Sequence, residues 1–110
     1  MTDSGTDHRR YPRIPAEYTV LVRSIDPPAE GFARTNVMSR GGCGFLTHEA
    51  IEAGTPLELL VTIRGAVVQI TGRSVYVRPV ADGRREVGVE FLDVAADDRV
   101  LIDEILVAHA

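Results

Sequence analysis

The sequence contains few of the residues that cross-link a fold or bind a metal. Among its 110 residues there is one cysteine, Cys43, and there is neither tryptophan nor lysine. A single cysteine excludes an internal disulfide, in keeping with a reducing compartment. The three histidines, His8, His48 and His109, lie far apart and have no cysteine cluster beside them. The sequence therefore predicts no metal site.

Long hydrophobic runs are also absent. No stretch approaches the roughly 18 consecutive apolar residues that indicate a membrane-spanning helix. The first residues, MTDSGTD, are polar and acidic, which is not the pattern of a secretory signal. Hydrophobic residues make up 45% and charged residues 25% of the chain, as in an ordinary single globular domain. We therefore expect a cytoplasmic protein that does not insert into a membrane.

The charge balance argues against a general nucleic-acid-binding protein. The formal net charge is −4, and aromatic residues make up only 5% of the sequence. Proteins that bind DNA or RNA usually show a basic face and aromatic stacking residues, so we expect neither partner. All twelve basic residues are arginines, whose planar guanidinium groups suit phosphate or a guanine edge.

Turn residues divide the middle of the chain into six predicted strands. Residues 1–8 are predicted to form a flexible tail, and residues 9–110 one domain. Gly72 is a candidate for a bulge or kink, and Asp82-Gly83 predicts a hairpin turn. Alternating apolar residues between the turns indicate half-buried strands. The predicted strands cover about 17–25, 31–37, 43–47, 57–63, 66–80 and 86–91.

A single helix is predicted at the C-terminal end, over about 96–109. Asp97 and Asp98 lie at its start, where carboxylates suit the positive end of the helix dipole. A broad apolar stripe follows at helical spacing. Six short strands and one terminal helix predict an all-β fold, a small barrel whose open end the helix covers. The stripe consists of Leu101, Ile102, Ile105, Leu106 and Ala108.

Three arginines, Arg9, Arg10 and Arg13, lie close together in the stretch HRRYPRIP near the start of the chain. Pro12 and Pro15 disfavour helix, so this segment should be extended. Arg9 and Arg13 would then lie on one side, about 13 Å apart at roughly 3.3 Å per residue. Two guanidinium groups could hold a compact dianion there. The alternative is a solvated basic tail, or arginines paired with some of the sixteen acidic residues.

A glycine-rich turn, Ser39-Arg40-Gly41-Gly42-Cys43-Gly44, follows the second predicted strand. Glycine allows a tight turn and close approach of a ligand, while Ser39 offers a hydroxyl and Arg40 a cation. The simpler interpretation is a hairpin turn without further function. The combination of an RxxxR segment before the first strand and an SxxG turn after the second favours a shared binding site at one rim of the barrel.

Over roughly Arg9 to Leu106 the sequence resembles the PilZ family, bacterial receptors for the second messenger cyclic di-GMP. Residues 9–15, RRYPRIP, match the family's RxxxR opening, and residues 39–45, SRGGCGF, resemble its second motif, [D/N]xSxxG. The stretches at residues 72–75, GRSV, and 88–91, GVEF, are also similar to the family. The resemblance implies a six-stranded antiparallel β-barrel with a C-terminal helix.

The resemblance also implies the ligand and the residues that bind it. Arg9 and Arg13 would contact the phosphates and guanine edges of cyclic di-GMP, and the turn at residues 39–42 would hold a base. The arginine segment would become ordered when the ligand arrives and so present a changed surface to a protein partner, in motility or biofilm regulation. The ligand-binding candidates are Arg9, Arg10, Arg13, Ser39 and Gly42, followed by Asn36, Arg40 and Gly41.

One position departs from the family motif. Counting back from Ser39, the place of the Asp or Asn is filled by Val37, and Asn36 comes one residue too early. A shift of one residue normally turns a side chain to the opposite face of a sheet. Only a β-bulge near Val37-Met38 would bring Asn36 to the correct face. A lost hydrogen bond of this kind weakens binding by about 1–3 kcal/mol.

Three functions follow from these patterns. The first is a cyclic di-GMP receptor that signals to a separate protein partner. The second is a PilZ-like adaptor that binds proteins and has weak or no affinity for the nucleotide, because of Val37. The third is an enzyme built on Ser39, Cys43 and His48, but no orienting residue is evident beside them. We expect no catalysis and no cofactor beyond the ligand.

Overall fold

The structure is a computed structural model that describes residues 12–109. Within that range the chain forms seven strands and one α-helix. The strands lie close to the predicted positions, but β3 and β7 are longer, and β1 was predicted only as extended chain. The elements are β1 (Ile14–Pro15), β2 (Thr19–Ile25), β3 (Pro28–Met38), β4 (Gly42–Thr47), β5 (Pro56–Ile63), β6 (Ala66–Pro79), β7 (Arg85–Val94) and α1 (Ala96–Ala108).

Six of the strands close into a barrel. Their order is β3-β2-β5-β6-β7-β4, and β4 pairs back with β3. Every pairing is antiparallel. The short strand β1 adds to β3 beyond the end of β2. The predicted six-stranded antiparallel barrel with a terminal helix is therefore confirmed, with one extra strand.

The barrel encloses a single hydrophobic core because its strands alternate between apolar and polar residues. In β5, Leu57, Leu59, Val61 and Ile63 are at most 3% exposed, whereas Thr62 between the last two points outward. Successive side chains in a strand point to opposite faces, so alternation of this kind places one face inside. Neighbouring strands contribute the remaining core residues, among them Val20, Phe45, Val68, Ile70 and Val87.

Helix α1 packs its apolar stripe into the core of the barrel. Ile102 and Ile105 are 0% and 1% exposed. At the N-terminal end of the helix, an Asp98 Oδ2 atom accepts a hydrogen bond of 3.1 Å from the Gln69 backbone N–H. Within the described range, no helix has the length and the apolar character that crossing a membrane requires.

Three β-bulges interrupt the regular pairing. They fall between Thr71 and Gly72, between Ser74 and Tyr76, and between Thr35 and Val37. The first adjoins Gly72, the predicted bulge or kink, but its extra residue is Leu92 on the facing strand β7. A β-carbon at Gly72 would lie 2.6 Å from the Glu90 carbonyl oxygen, so the close approach of β7 requires glycine there. The bulge between Thr35 and Val37 shapes the candidate site.

Candidate functional site

The segment that ends in Arg13 lies along β3. Ile14 pairs with Met38 and Pro15 pairs with Val37. Arg13 directly precedes Ile14 and Ser39 directly follows Met38, so these two residues flank the first pair of the ladder. Arg13 is exposed and forms no ion pair within residues 12–109. The other two arginines of the segment, Arg9 and Arg10, lie outside the described residues.

A buried threonine fastens this segment to the barrel. Thr35 is 1% exposed. Its hydroxyl donates a hydrogen bond of 2.5 Å to the Ala16 carbonyl oxygen and accepts one of 2.8 Å from the Tyr18 backbone N–H. The Ala16 N–H in turn donates to the Asn36 carbonyl oxygen at 3.2 Å. The chain immediately after Arg13 is thus fixed against β3, which sets the point from which the Arg13 side chain extends.

The turn between β3 and β4 is closed by its own serine. The Ser39 N–H donates to the Gly42 carbonyl oxygen at 2.8 Å, and its hydroxyl donates to the same oxygen at 3.3 Å. The hydroxyl also accepts a bond of 3.3 Å from the Gly41 N–H. A β-carbon at Gly42 would lie only 2.4 Å from the Val89 carbonyl oxygen. The packing of β4 on β7 therefore requires glycine at Gly42 independently of any ligand.

The Arg40 side chain, predicted as a further ligand contact, is directed to helix α1. Its Nε atom donates to an Asp103 carboxylate oxygen at 3.1 Å. Arg99 of the same helix donates from Nη1 to the Arg40 carbonyl oxygen. The turn is thus bound to the helix through both the side chain and the backbone of Arg40.

The bulge in β3 places Asn36 and Val37 on the same face. Thr35 pairs with Phe45, Val37 pairs with Gly44, and Asn36 is the extra residue between them. Thr35 and Met38 point into the core, whereas Asn36 and Val37 are both partly exposed. The bulge lies one residue before the position at which it was expected, Val37-Met38. It keeps Asn36 on the same face as Val37 and does not let it turn to the opposite face.

The Asn36 amide contacts a buried carboxylate that was not predicted from the sequence. Its Nδ2 atom donates to Glu86 Oε2 at 2.7 Å, and Arg78 donates to Glu86 Oε1 at 2.5 Å. Glu86 is 5% exposed. The buried Oδ1 atom of Asn36 has no hydrogen-bond partner among the described residues. Glu86 was recognisable only as a polar residue in the alternation of β7, because 50 positions separate it from Asn36.

Two glycines on the outer face of the barrel beside Val37 leave room for side chains from neighbouring strands to lie over them. Gly44 pairs with Gly88, and Gly88 pairs with Tyr76, so the three form one row across β4, β7 and β6. A β-carbon at Gly88 would lie 2.0 Å from the Tyr76 ring, which therefore lies over that glycine. On the other side of Asn36 a groove of about 480 Å³ continues along β3. Its lining includes Phe32, Arg34, Leu46 and Arg84.

Cys43 belongs to the core rather than to a reactive site. It is 6% exposed, and burial raises the pKa of its thiol to about 12. A thiolate is the nucleophilic form, so this cysteine is poorly suited to the catalytic role weighed from the sequence. No group of His, Cys, Asp and Glu side chains suited to a metal ion occurs in the described part of the chain.

Comparison with known families shows that the sequence matches one of them. A family model described as PilZ domain matches residues 7–108. The chain belongs to the PilZ domain family. The matched range includes both the arginine segment and the Ser39–Gly42 turn, so the resemblance inferred from the sequence is confirmed. No curated protein sequence matches the chain.

Solved structures of PilZ proteins share the fold. The PilZ domain with c-di-GMP of YcgR from Escherichia coli superposes with a TM-score of 0.74 at 22% identity, over 92% of this chain and 90% of that one. MotI/DgrA, an inhibitor of motility from Bacillus subtilis, gives 0.75 at 17% identity, over 91% of this chain and 50% of that one. The MrkH–c-di-GMP complex of K. pneumonia gives 0.71 at 17% identity, over 90% and 51%.

The chain therefore spans about half the length of MotI/DgrA and of MrkH, and nearly all of the isolated YcgR domain. At these identities the likeness shows the fold alone. Two of the three structures are described as containing c-di-GMP, which is a statement about those proteins.

Proposed function

We propose that this PilZ protein is a receptor for cyclic di-GMP. The observation that carries the proposal is the pairing of β1 with β3, because Arg13 and Ser39 flank the pair that Ile14 forms with Met38. The described end of the arginine segment thereby lies beside the Ser39–Gly42 turn, although the two are far apart in the sequence. Membership of the PilZ family supports the identity of the ligand.

Each group at the site has a role in this proposal. Arg13, with Arg9 and Arg10 from the same segment, contacts the phosphates and guanine edges of the nucleotide. Guanidinium groups bind both through charge-assisted, bidentate hydrogen bonds. The Ser39–Gly42 turn holds a base of the nucleotide. The hydrogen bonds within the turn support this role, since a turn that is already closed loses little conformational entropy on binding. No chemical step is required, and the protein acts as a receptor rather than as an enzyme.

Asn36 is the proposed substitute for the missing amide or carboxylate of the motif. The bulge supports this role because it keeps Asn36 on the outer face beside Val37. The Asn36 Oδ1 atom is an acceptor without a partner among the described residues, and the N1–H and N2–H groups of guanine are donors. Guanine would supply the missing hydrogen bond once Asn36 turns toward the ligand.

The proposed signal is a change of surface. In this proposal the arginine segment closes over the bound nucleotide and presents a different surface to a protein partner in the cytoplasm. The fixed attachment of residues 14–16 along β3 supports this mechanism, because it provides an anchored point from which the preceding residues can close over the site.

Calorimetric titration with cyclic di-GMP tests the proposal. We expect the natural protein to bind and the Arg9→Ala, Arg13→Ala double variant to lose most of its affinity. Arg23→Ala is the matched control, since Arg23 is also an exposed arginine but pairs with Glu30 and Glu58 on β3 and β5. Absence of heat with the natural protein, or equal affinity of the double variant, would contradict the proposal.

A protein-binding adaptor without nucleotide dependence is the second candidate. The observation that favours it is the state of the Asn36 amide, whose Nδ2 is held by Glu86 and whose Oδ1 is buried. Val37, beside it, offers no polar group. If this candidate is correct, cyclic di-GMP binds only after Val37 is replaced by Asn or Asp.

A further inference from the structure

We propose that Asp103 and Arg99 of helix α1 are positioning residues for the nucleotide-binding turn. They do not touch the ligand but hold the Ser39–Gly42 turn in the conformation that binds it. This inference rests on the proposed function, and it gives Arg40 a role different from the ligand contact that the sequence predicted.

Arg40 is held at two points by the helix. Its Nε atom lies 3.1 Å from Asp103 Oδ1, and the Arg99 guanidinium donates to its carbonyl oxygen. The next carbonyl, that of Gly41, accepts a hydrogen bond of 2.9 Å from the Phe91 N–H. Two consecutive carbonyls of the turn thus have partners outside it, one on α1 and one on β7.

The helix is a firm support for these contacts. Ile102, the residue directly before Asp103, is 0% exposed, and Ile105 is 1% exposed, so both are fixed in the barrel core. A displacement of the turn would therefore break its contacts with α1 rather than carry the helix with it. Because coupling between two sites is reciprocal, a ligand that stabilises the turn also stabilises its contacts with Asp103 and Arg99.

The same helix offers a matched control. Glu104, the next residue, forms an ion pair of 3.3 Å with Arg64, which lies in the hairpin between β5 and β6. The side chains of this pair are 51% and 52% exposed, against 52% and 39% for Arg40 and Asp103. The two pairs are alike in geometry and exposure, and they differ in whether they lead to the turn.

Calorimetry on two isosteric variants tests the inference. We expect Asp103→Asn to weaken cyclic di-GMP binding by about two- to five-fold, as the loss of a half-exposed ion pair predicts. Glu104→Gln should bind like the natural protein. Both variants should melt at similar temperatures because each loses one comparable pair. Equal affinities of the two variants would overturn the inference, since a merely structural role predicts no difference between them.

Amide hydrogen exchange without ligand separates this inference from the proposed function. The Phe91 amide donates to the Gly41 carbonyl oxygen, and the Gly41 amide donates to the Ser39 hydroxyl. We expect both amides to exchange faster in Asp103→Asn and in Arg99→Gln than in the natural protein or in Glu104→Gln. If the natural protein fails to bind the nucleotide, the receptor proposal is wrong, while exchange still tests the support of the turn. Unchanged exchange in Asp103→Asn and Arg99→Gln would show that the helix does not position the turn.

Discussion

At Val37 the outer face of β3 carries an isopropyl group where the PilZ motif has Asp or Asn. The neighbouring Asn36 shares this face, but Glu86 holds one end of its amide at 2.7 Å. A ligand that uses Asn36 must therefore turn the amide away from Glu86 and break this hydrogen bond. At the scale of single residues, the proposed receptor function makes the strength of nucleotide binding depend on these three side chains.

The variant Val37→Asn should tighten the binding of cyclic di-GMP. It restores a polar group at the motif position, and one hydrogen bond that satisfies a ligand group is worth about 1–3 kcal/mol. The dissociation constant from calorimetry should fall by roughly five- to 150-fold. Val67→Asn, at an exposed position on β6, is the control and should leave it unchanged. A Val37→Asn protein with unaltered affinity would show that the ligand makes no contact there.

The Cys43 thiol should make stability depend on pH in alkaline solution. Burial raises its pKa from 9.0 to about 12 in the folded protein. The contribution of the protonated thiol is complete below about pH 9 and is lost between pH 9 and 12, because only the unfolded state ionises there. The free energy of unfolding should fall in this range by up to about 1.4 kcal/mol per pH unit.

Urea denaturation at several pH values measures this effect. The slope should be steeper for the natural protein than for Cys43→Ala, which lacks the titrating group. Parallel pH profiles of the two proteins would indicate that the thiol ionises as readily in the folded state as in the unfolded state.

At the scale of elements, the three bulges decide which side chains reach the outer face. An irregularity beside Gly72 could be predicted, since a glycine within a strand pattern often marks one, but its position on the facing strand β7 could not. The bulge at Asn36 was considered only as a rescue for the motif. The presence of this bulge depends on the pairing of β3 with β4. The polar partner of the Asn36 side chain, Glu86, lies on β7. Such long-range register does not follow from local alternation.

The variant Gly72→Ala should destabilise the barrel. Its β-carbon would lie 2.6 Å from the Glu90 carbonyl oxygen and 2.7 Å from a Val89 methyl group, so β6 and β7 would have to separate. Overpacking of this kind costs about 1–3 kcal/mol. Gly31→Ala is the matched control, because a β-carbon there meets no atom within 4 Å.

Urea unfolding midpoints provide the measurement. Gly31→Ala should change the free energy of unfolding by no more than about 0.5 kcal/mol. If Gly72→Ala were as stable as Gly31→Ala, β7 would not approach Gly72 as closely as the structure shows.

At the scale of the whole molecule, the pairing of β1 with β3 brings the end of the arginine segment beside the Ser39–Gly42 turn. The six predicted strands and the apolar stripe of the C-terminal helix were sufficient to predict a small barrel with a terminal helix. The arginine segment and the Ser39–Gly42 turn were recognisable as motifs. The contacts of Arg40 with α1 and of Asn36 with Glu86 were not, because they join residues that only the complete fold makes neighbours.

Chemical-shift mapping of the ¹⁵N-labelled protein with cyclic di-GMP tests whether the nucleotide binds beside Arg13 and the Ser39–Gly42 turn. We expect the largest amide shifts at Arg13 and Ile14, at Asn36 and Val37, and in the Ser39–Gly42 turn. Amides of Thr62 and Val67, in the hairpin between β5 and β6, should keep their chemical shifts. Spectra unchanged at a large excess of nucleotide, or shifts confined to that hairpin, would show that cyclic di-GMP does not bind at this site.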